Sequence, residues 1–98
     1  DFTCNTDILY VDEKKLVFPL ILRHWHEGDR FCPFGMRGRK KLSDFFIDQK
    51  INLWEKKNVQ VLCSGDKIVW LVGLRGDDRF KIDHQTENYY KIQYYGSF

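Results

Sequence analysis

Residues 23–46, RHWHEGDRFCPFGMRGRKKLSDFF, concentrate side chains suited to holding an anion. Arg37, Arg39, Lys40 and Lys41 place four cations within five positions, with Gly38 between the first two. Keeping like charges in one ordered loop costs electrostatic energy unless anions come close. Gly28, Gly35 and Gly38 permit turns and a close backbone approach to a ligand. The run leads into a segment with helical spacing, whose start adds unpaired N–H groups and positive potential. Arg23 and Arg30 come before the loop, and Arg75 and Arg79 sit in a later polar turn that would converge on the same face. Nucleic-acid phosphates are the natural counter-charge for such a surface. The alternative is a solvated loop whose glycines serve only to turn the chain.

Other chemistries find less support. His24 and His26 would share a face of a strand, but no second ligand cluster with suitable spacing accompanies them, so surface histidines are the default. Asp77 and Asp78 are adjacent and would point to opposite faces of a strand, unlike a catalytic carboxylate pair aimed at one point. They read as turn residues forming weak surface pairs with Arg75 and Arg79. Ser43 and Cys63 have no nearby histidine to activate them. Neither a Gly-x-x-x-x-Gly-Lys-Ser/Thr loop nor a Gly-x-Gly-x-x-Gly fingerprint occurs. The residues alone offer no catalytic constellation and no metal site.

The 98 residues suffice for one domain with a single modest core. An apolar fraction of 43%, with 16% aromatics, is that of a globular chain. Net charge is only +2, so a nucleic-acid reading rests on where the charges sit rather than on their sum. Cys4, Cys32 and Cys63 are odd in number and widely spaced, which argues against a disulfide framework and fits a reducing cytoplasm. The longest apolar runs, 16–22 and 68–74, fall far short of the roughly 18–20 residues a membrane helix needs. The chain opens at Asp1 with strand-like residues, as a piece of a longer protein would.

The elements that must position the cationic loop are short. Residues 8–11 and 16–23 flank the polar turn 12–15 and read as a hairpin, with Pro19 favouring an edge position or a bulge. Leu42, Phe45, Phe46 and Gln49 recur at helical spacing, with Ser43 or Asp44 at the helix start. Asn52 followed by Glu55 reads as an N-cap and its partner for a second helix over 53–57. Strands are predicted over 59–63 and 67–74, joined by Ser64-Gly65-Asp66. After a polar turn at 75–78, further strands are expected over 79–83 and 89–95. The expected class is α+β, mainly antiparallel sheet or sandwich with one or two short helices inserted mid-chain. Phe31, Phe45, Phe46 and Trp70 are assigned to the core.

At these residues the chain resembles a known family. The pattern Arg23-x-Trp25-x-x-Gly28-Asp29-Arg30-Phe31-x-Pro33-x-Gly35-Met36-x-Gly38-x-Lys40-Lys41-Leu42-x-Asp44-Phe45-Phe46 is similar to that of the C-terminal domain of bacterial tRNA(Ile)-lysidine synthetase. The likeness continues through Asp48-x-Lys50-Ile51, Val61-Leu62, Ile68-Val69-Trp70 and Gly73-x-Arg75-x-Asp77-x-Arg79-Phe80-Lys81. It covers most of the chain from Arg23 onward, and so many fixed positions make it highly specific. Asn52 and Gln60 stand where family members often carry proline.

The resemblance implies a fold similar to a module of the phenylalanyl-tRNA synthetase β subunit. It also implies a part in gripping the tRNA(Ile) acceptor stem, while a separate N-terminal domain uses ATP with magnesium to join lysine to the wobble cytidine. Residues 1–98 would then be one C-terminal tRNA-binding domain, bacterial and cytoplasmic, with no catalytic residue and no cofactor of its own. Its RNA contacts would be Arg30, Arg37, Arg39, Lys40, Lys41, Arg75 and Arg79. Three rival readings stay open: a structural or homodimerising element, a small nuclease using the histidines and Asp77, and a general RNA binder.

Overall fold

Leu42, Phe45 and Phe46 lie three and four residues apart, and they form the one buried stripe of helix α1 (Leu42–Asp48). This and the following elements belong to a computed structural model that describes residues 7–95. The remaining elements are strands β1 (Ile8–Asp12), β2 (Leu20–His24), β3 (Arg30–Phe31), β4 (Lys40–Lys41), β5 (Gln60–Ser64), β6 (Lys67–Leu71), β7 (Arg75–Gly76) and β8 (Tyr89–Gln93), with helix α2 (Leu53–Lys57). They form a four-stranded sheet in the order β2-β5-β6-β7 and two ribbons, β1-β8 and β3-β4, all with antiparallel pairing. The class is therefore α+β. No helix among the described residues is long and apolar enough to cross a membrane.

The buried residues form two clusters rather than the single core expected, and the two share β6. Phe31 and the α1 stripe pack with Val59, Val61, Cys63, Ile68 and Leu71, and Phe31 meets Phe45 edge-on at 5.1 Å between ring centres. On the other side Val69 packs with Val11 and Phe80, under Leu9 and Ile92 of the outer ribbon. A bulge makes this possible. Val61 faces Leu71 and Cys63 faces Ile68, so β6 carries one extra residue between the pairs. That residue count lets Ile68 and Leu71, three apart, serve one cluster while Val69 serves the other. The buried run Ile68–Leu71 is thus continuous rather than alternating. Trp70, like Phe31, Phe45 and Phe46, is buried as expected.

Several local expectations hold. Asn52 Oδ1 accepts the Glu55 N–H at 2.8 Å and caps α2. Pro19 precedes β2, an outer strand of its sheet. The Ser64-Gly65-Asp66 turn joins β5 to β6, with Gly65 at φ +59°.

Three others are corrected. β1 and β2 do not form a hairpin, because β1 pairs with β8 from Ile8 opposite Gln93 to Asp12 opposite Tyr89. The polar turn after β1 is tied outward instead. Asp12 accepts from the Lys14 N–H and from Thr86 Oγ1, and Lys15 Nζ reaches Asp83 and the Lys81 carbonyl. Residues 79–83 are not a strand, since Asp78–Phe80 form a 3-10 turn capped by Asp77. Ser43 does not cap α1. Lys41 occupies the cap position, and the Asp29 carbonyl accepts the Leu42 N–H at 3.0 Å. Cys32 and Cys63 are free thiols; Cys4 and the strand-like opening residues lie outside the described residues.

Candidate functional site

The cationic loop is the connection between β3 and β4, and two aspartates set its position. Asp77 has a fully buried side chain that accepts four hydrogen bonds. Its oxygens take the Cys32 N–H at 2.9 Å and the Arg79 N–H at 2.8 Å. Arg79 Nε and Nη2 complete a two-pronged pair at 3.0 and 2.8 Å. Asp78 adds its own N–H to the Cys32 carbonyl at 2.7 Å and its carboxylate to the Gly35 N–H at 3.3 Å. The loop start is thereby stitched to the segment after β7, with Phe34 N–H on the Gly76 carbonyl.

Asp29 performs the matching service before β3. Arg23 Nη1 and Nη2 donate to its two oxygens at 2.9 and 3.0 Å, and the His26 N–H donates at 2.7 Å. Burial alone would raise the Asp29 carboxyl, but the Arg23 and His26 hydrogen bonds and the Arg23 charge hold it below the ordinary carboxylate range. Arg23 and Arg79 are each raised by hydrogen bonds to their aspartates, against burial, which works the other way.

A depressed folded pKa stabilises the fold at neutral pH, and that contribution fades as pH falls below the unfolded value of about 4 towards the folded one. Asp29→Asn is therefore expected to unfold at lower urea than the wild type at pH 7. The gap should narrow through acid titration below about pH 4. A gap that is constant with pH would remove this role from Asp29.

The expected contact residues divide into two groups. Arg30, Arg37, Arg39 and Lys41 are exposed, and their side chains make no hydrogen bond or ion pair among the described residues. Gly35 and Gly38, at φ +83° and +77°, bend the loop that carries Arg37 and Arg39 through left-handed conformations that favour glycine. Arg30, Arg39, Lys40 and Lys41 line one open groove of about 420 Å³ together with Asp44, Ile47 and Asp48. The second group is engaged by the protein. Lys40 pairs with Asp48, and Arg79 with Asp77. Arg75 lies over the Phe45 ring, 5.5 Å from its centre, and donates to the Phe34 carbonyl at 3.2 Å.

Two organising roles were not visible in the residue order. Asp77 is no weak surface partner; the family pattern fixes it beside Arg79 and leaves Asp78 free, but its burial left no mark in the residue order. Arg23 and Asp29 are both fixed positions of that pattern, but nothing in the residue order joined them as a pair. Among the described residues, no group of three or more His, Cys, Asp or Glu side chains is placed to hold a metal ion.

Against known proteins, residues 20–94 match the model of the TilS substrate C-terminal domain. The chain is 54% identical over 92 residues to a tRNA(Ile)-lysidine synthase of Parabacteroides distasonis, covering 94% of this chain and 21% of that protein. It is 46% identical over 83 residues to the enzyme of the same name from Bacteroides thetaiotaomicron, covering 83% and 20%. The chain thus spans about a fifth of the length of the curated relatives it matches. A crystal structure of a TilS C-terminal domain superposes with a TM-score of 0.76 at 28% identity, covering 96% of this chain and 75% of that one. Sequence model, relatives and superposed fold agree, and the chain belongs to the TilS substrate C-terminal domain family.

Proposed function

We propose that residues 1–98 are one domain, the tRNA-docking C-terminal part of a longer tRNA(Ile)-lysidine synthase, and that it holds the acceptor stem of tRNA(Ile). The observation that carries this is the groove beside α1, whose cations Arg30, Arg39 and Lys41 have no side-chain partner among the described residues, next to Arg37 on the adjoining loop. Those four track phosphates. Lys40, Arg75 and Arg79 flank them as part of the same basic face while bonded to Asp48, Phe34 and Asp77. An A-form stem hides its base edges in a deep major groove, so recognition leans on backbone, 2′-hydroxyls and shape.

This domain carries no catalytic residue. ATP with magnesium, and lysine, are handled by a separate catalytic domain, where lysine is ligated to the wobble cytidine in the cytoplasm. Docking here raises the effective concentration of tRNA at that distant site. Binding by the domain alone is weak and falls steeply with salt.

Replacing Arg37, Arg39 and Lys41 together by alanine is expected to lower the slope of log affinity against log salt by about 2 units, at about 0.7–0.9 per phosphate contact. An unchanged slope, with unchanged affinity for tRNA(Ile), would sink the docking reading. A homodimer is a second reading, favoured by the exposed apolar residues Val17, Phe18, Ile21 and Leu22 on and before the outer strand β2. A salt-insensitive dimer in gel filtration supports it, and a monomer at all salts excludes it.

A further inference from the structure

Asp44 lines the same groove as Arg30, Arg39 and Lys41, yet its exposed carboxylate pairs with none of them and makes no other hydrogen bond among the described residues. Asp48, one turn further along α1, is bound to Lys40. The two acids of the groove are therefore unlike: one is neutralised within the protein and the other is free. A free carboxylate on a surface that meets a polyanion is repelled by the phosphates around it. Its presence weakens docking unless it gains a contact in return. An ionised carboxylate can only accept hydrogen bonds, so that contact is with a donor on the ligand.

Phosphates carry no donor. The wide, shallow minor groove of an A-form duplex displays two kinds, the ribose 2′-hydroxyl and the guanine N2 amine. Three unpaired cations and one free acid lining the same protein groove suit a ligand that offers phosphates and hydrogen-bond donors side by side.

We propose that Asp44 is a specificity-determining residue of this surface, accepting a hydrogen bond from a minor-groove donor of an RNA duplex whose phosphates the neighbouring cations hold. The inference rests on the docking reading above. A first-turn carboxylate also favours the positive end of a helix. That role changes stability and leaves the choice among duplexes untouched.

The test compares the 98-residue chain with its Asp44→Ala variant by fluorescence anisotropy at fixed salt. Three duplexes of one sequence are used: guanine-rich RNA, the same RNA with inosine for guanosine, and DNA. The wild type is expected to prefer the RNA over at least one of the others by about fivefold or more, as a charge-assisted hydrogen bond would give. Asp44→Ala should lose about threefold or more of that preference and bind the DNA more tightly, since a repelling charge is gone. Preference lost against inosine assigns the amine, and preference lost against DNA alone assigns the hydroxyl.

An undiminished preference in the variant overturns the inference while leaving docking intact. No binding of any duplex by the wild type overturns the inference, and no binding of tRNA(Ile) at low salt overturns the docking reading as well. Should the alanine variant melt early, Asp44→Asn decides. It keeps an acceptor without the charge, so it must retain part of the preference and still tighten on DNA; behaviour identical to the wild type overturns the inference.

Discussion

Replacing Asp77 by alanine is expected to cost the domain about 3 kcal/mol or more, the largest loss from any single polar side chain here. The pair with Arg79 adds little as an attraction, since desolvating two charges offsets most of their Coulomb energy. The cost comes from breaking it one-sidedly. Arg79 loses a two-pronged partner, and the Cys32 and Arg79 N–H groups lose an acceptor that is itself fully buried. Arg79, about a third exposed, recovers some hydration, which keeps the loss from being larger. Urea unfolding followed by tryptophan fluorescence measures it. A loss under about 1 kcal/mol would show that water replaces Asp77 without penalty. Because Cys32 begins the cationic loop, the docking proposal further predicts that this variant binds RNA more weakly than its unchanged loop charge suggests.

Phe45→Ala is expected to be of similar size, about 3–5 kcal/mol, through the cavity it leaves under α1. The ring is 2% exposed and meets Phe31 and Phe46 edge-on, so its removal leaves atoms on two neighbours without contacts. It is also the seat of the Arg75 guanidinium. Phe45→Leu separates the two effects. It keeps most of the volume, so its cost should be well under that of alanine, but it removes the aromatic face beneath Arg75. Equal costs for leucine and alanine would mean that cavity volume does not govern this site.

What the residue order revealed depends on how local the cause is. The stripe Leu42, Phe45 and Phe46 declares α1 because burial there follows the helical period. The Asn52 cap declares α2 because cap and partner are three residues apart. The loop cations and the glycines that bend their loop were readable for the same reason. The supposed hairpin between β1 and β2 failed because its decisive contacts are remote: Asp12 is held by Thr86 and Lys15 by Asp83. Strand pairing across more than seventy residues leaves no periodic trace. The expected strand over 79–83 failed because one buried carboxylate, Asp77, caps a turn there. Its burial could not be read from two adjacent acids flanked by arginines. That the free and engaged cations differ is likewise a matter of remote partners: Asp48 for Lys40, buried Asp77 for Arg79, and the Phe34 carbonyl with the Phe45 ring for Arg75.

The strand that serves both cores has a thermodynamic consequence. With Val69 turned to the outer ribbon and Ile68 and Leu71 to the helix side, neither half can melt while the other persists, because either departure would bare the same backbone to water. The molecule should denature as a single cooperative unit. Its slowest-exchanging amides should be those in the middle of β6.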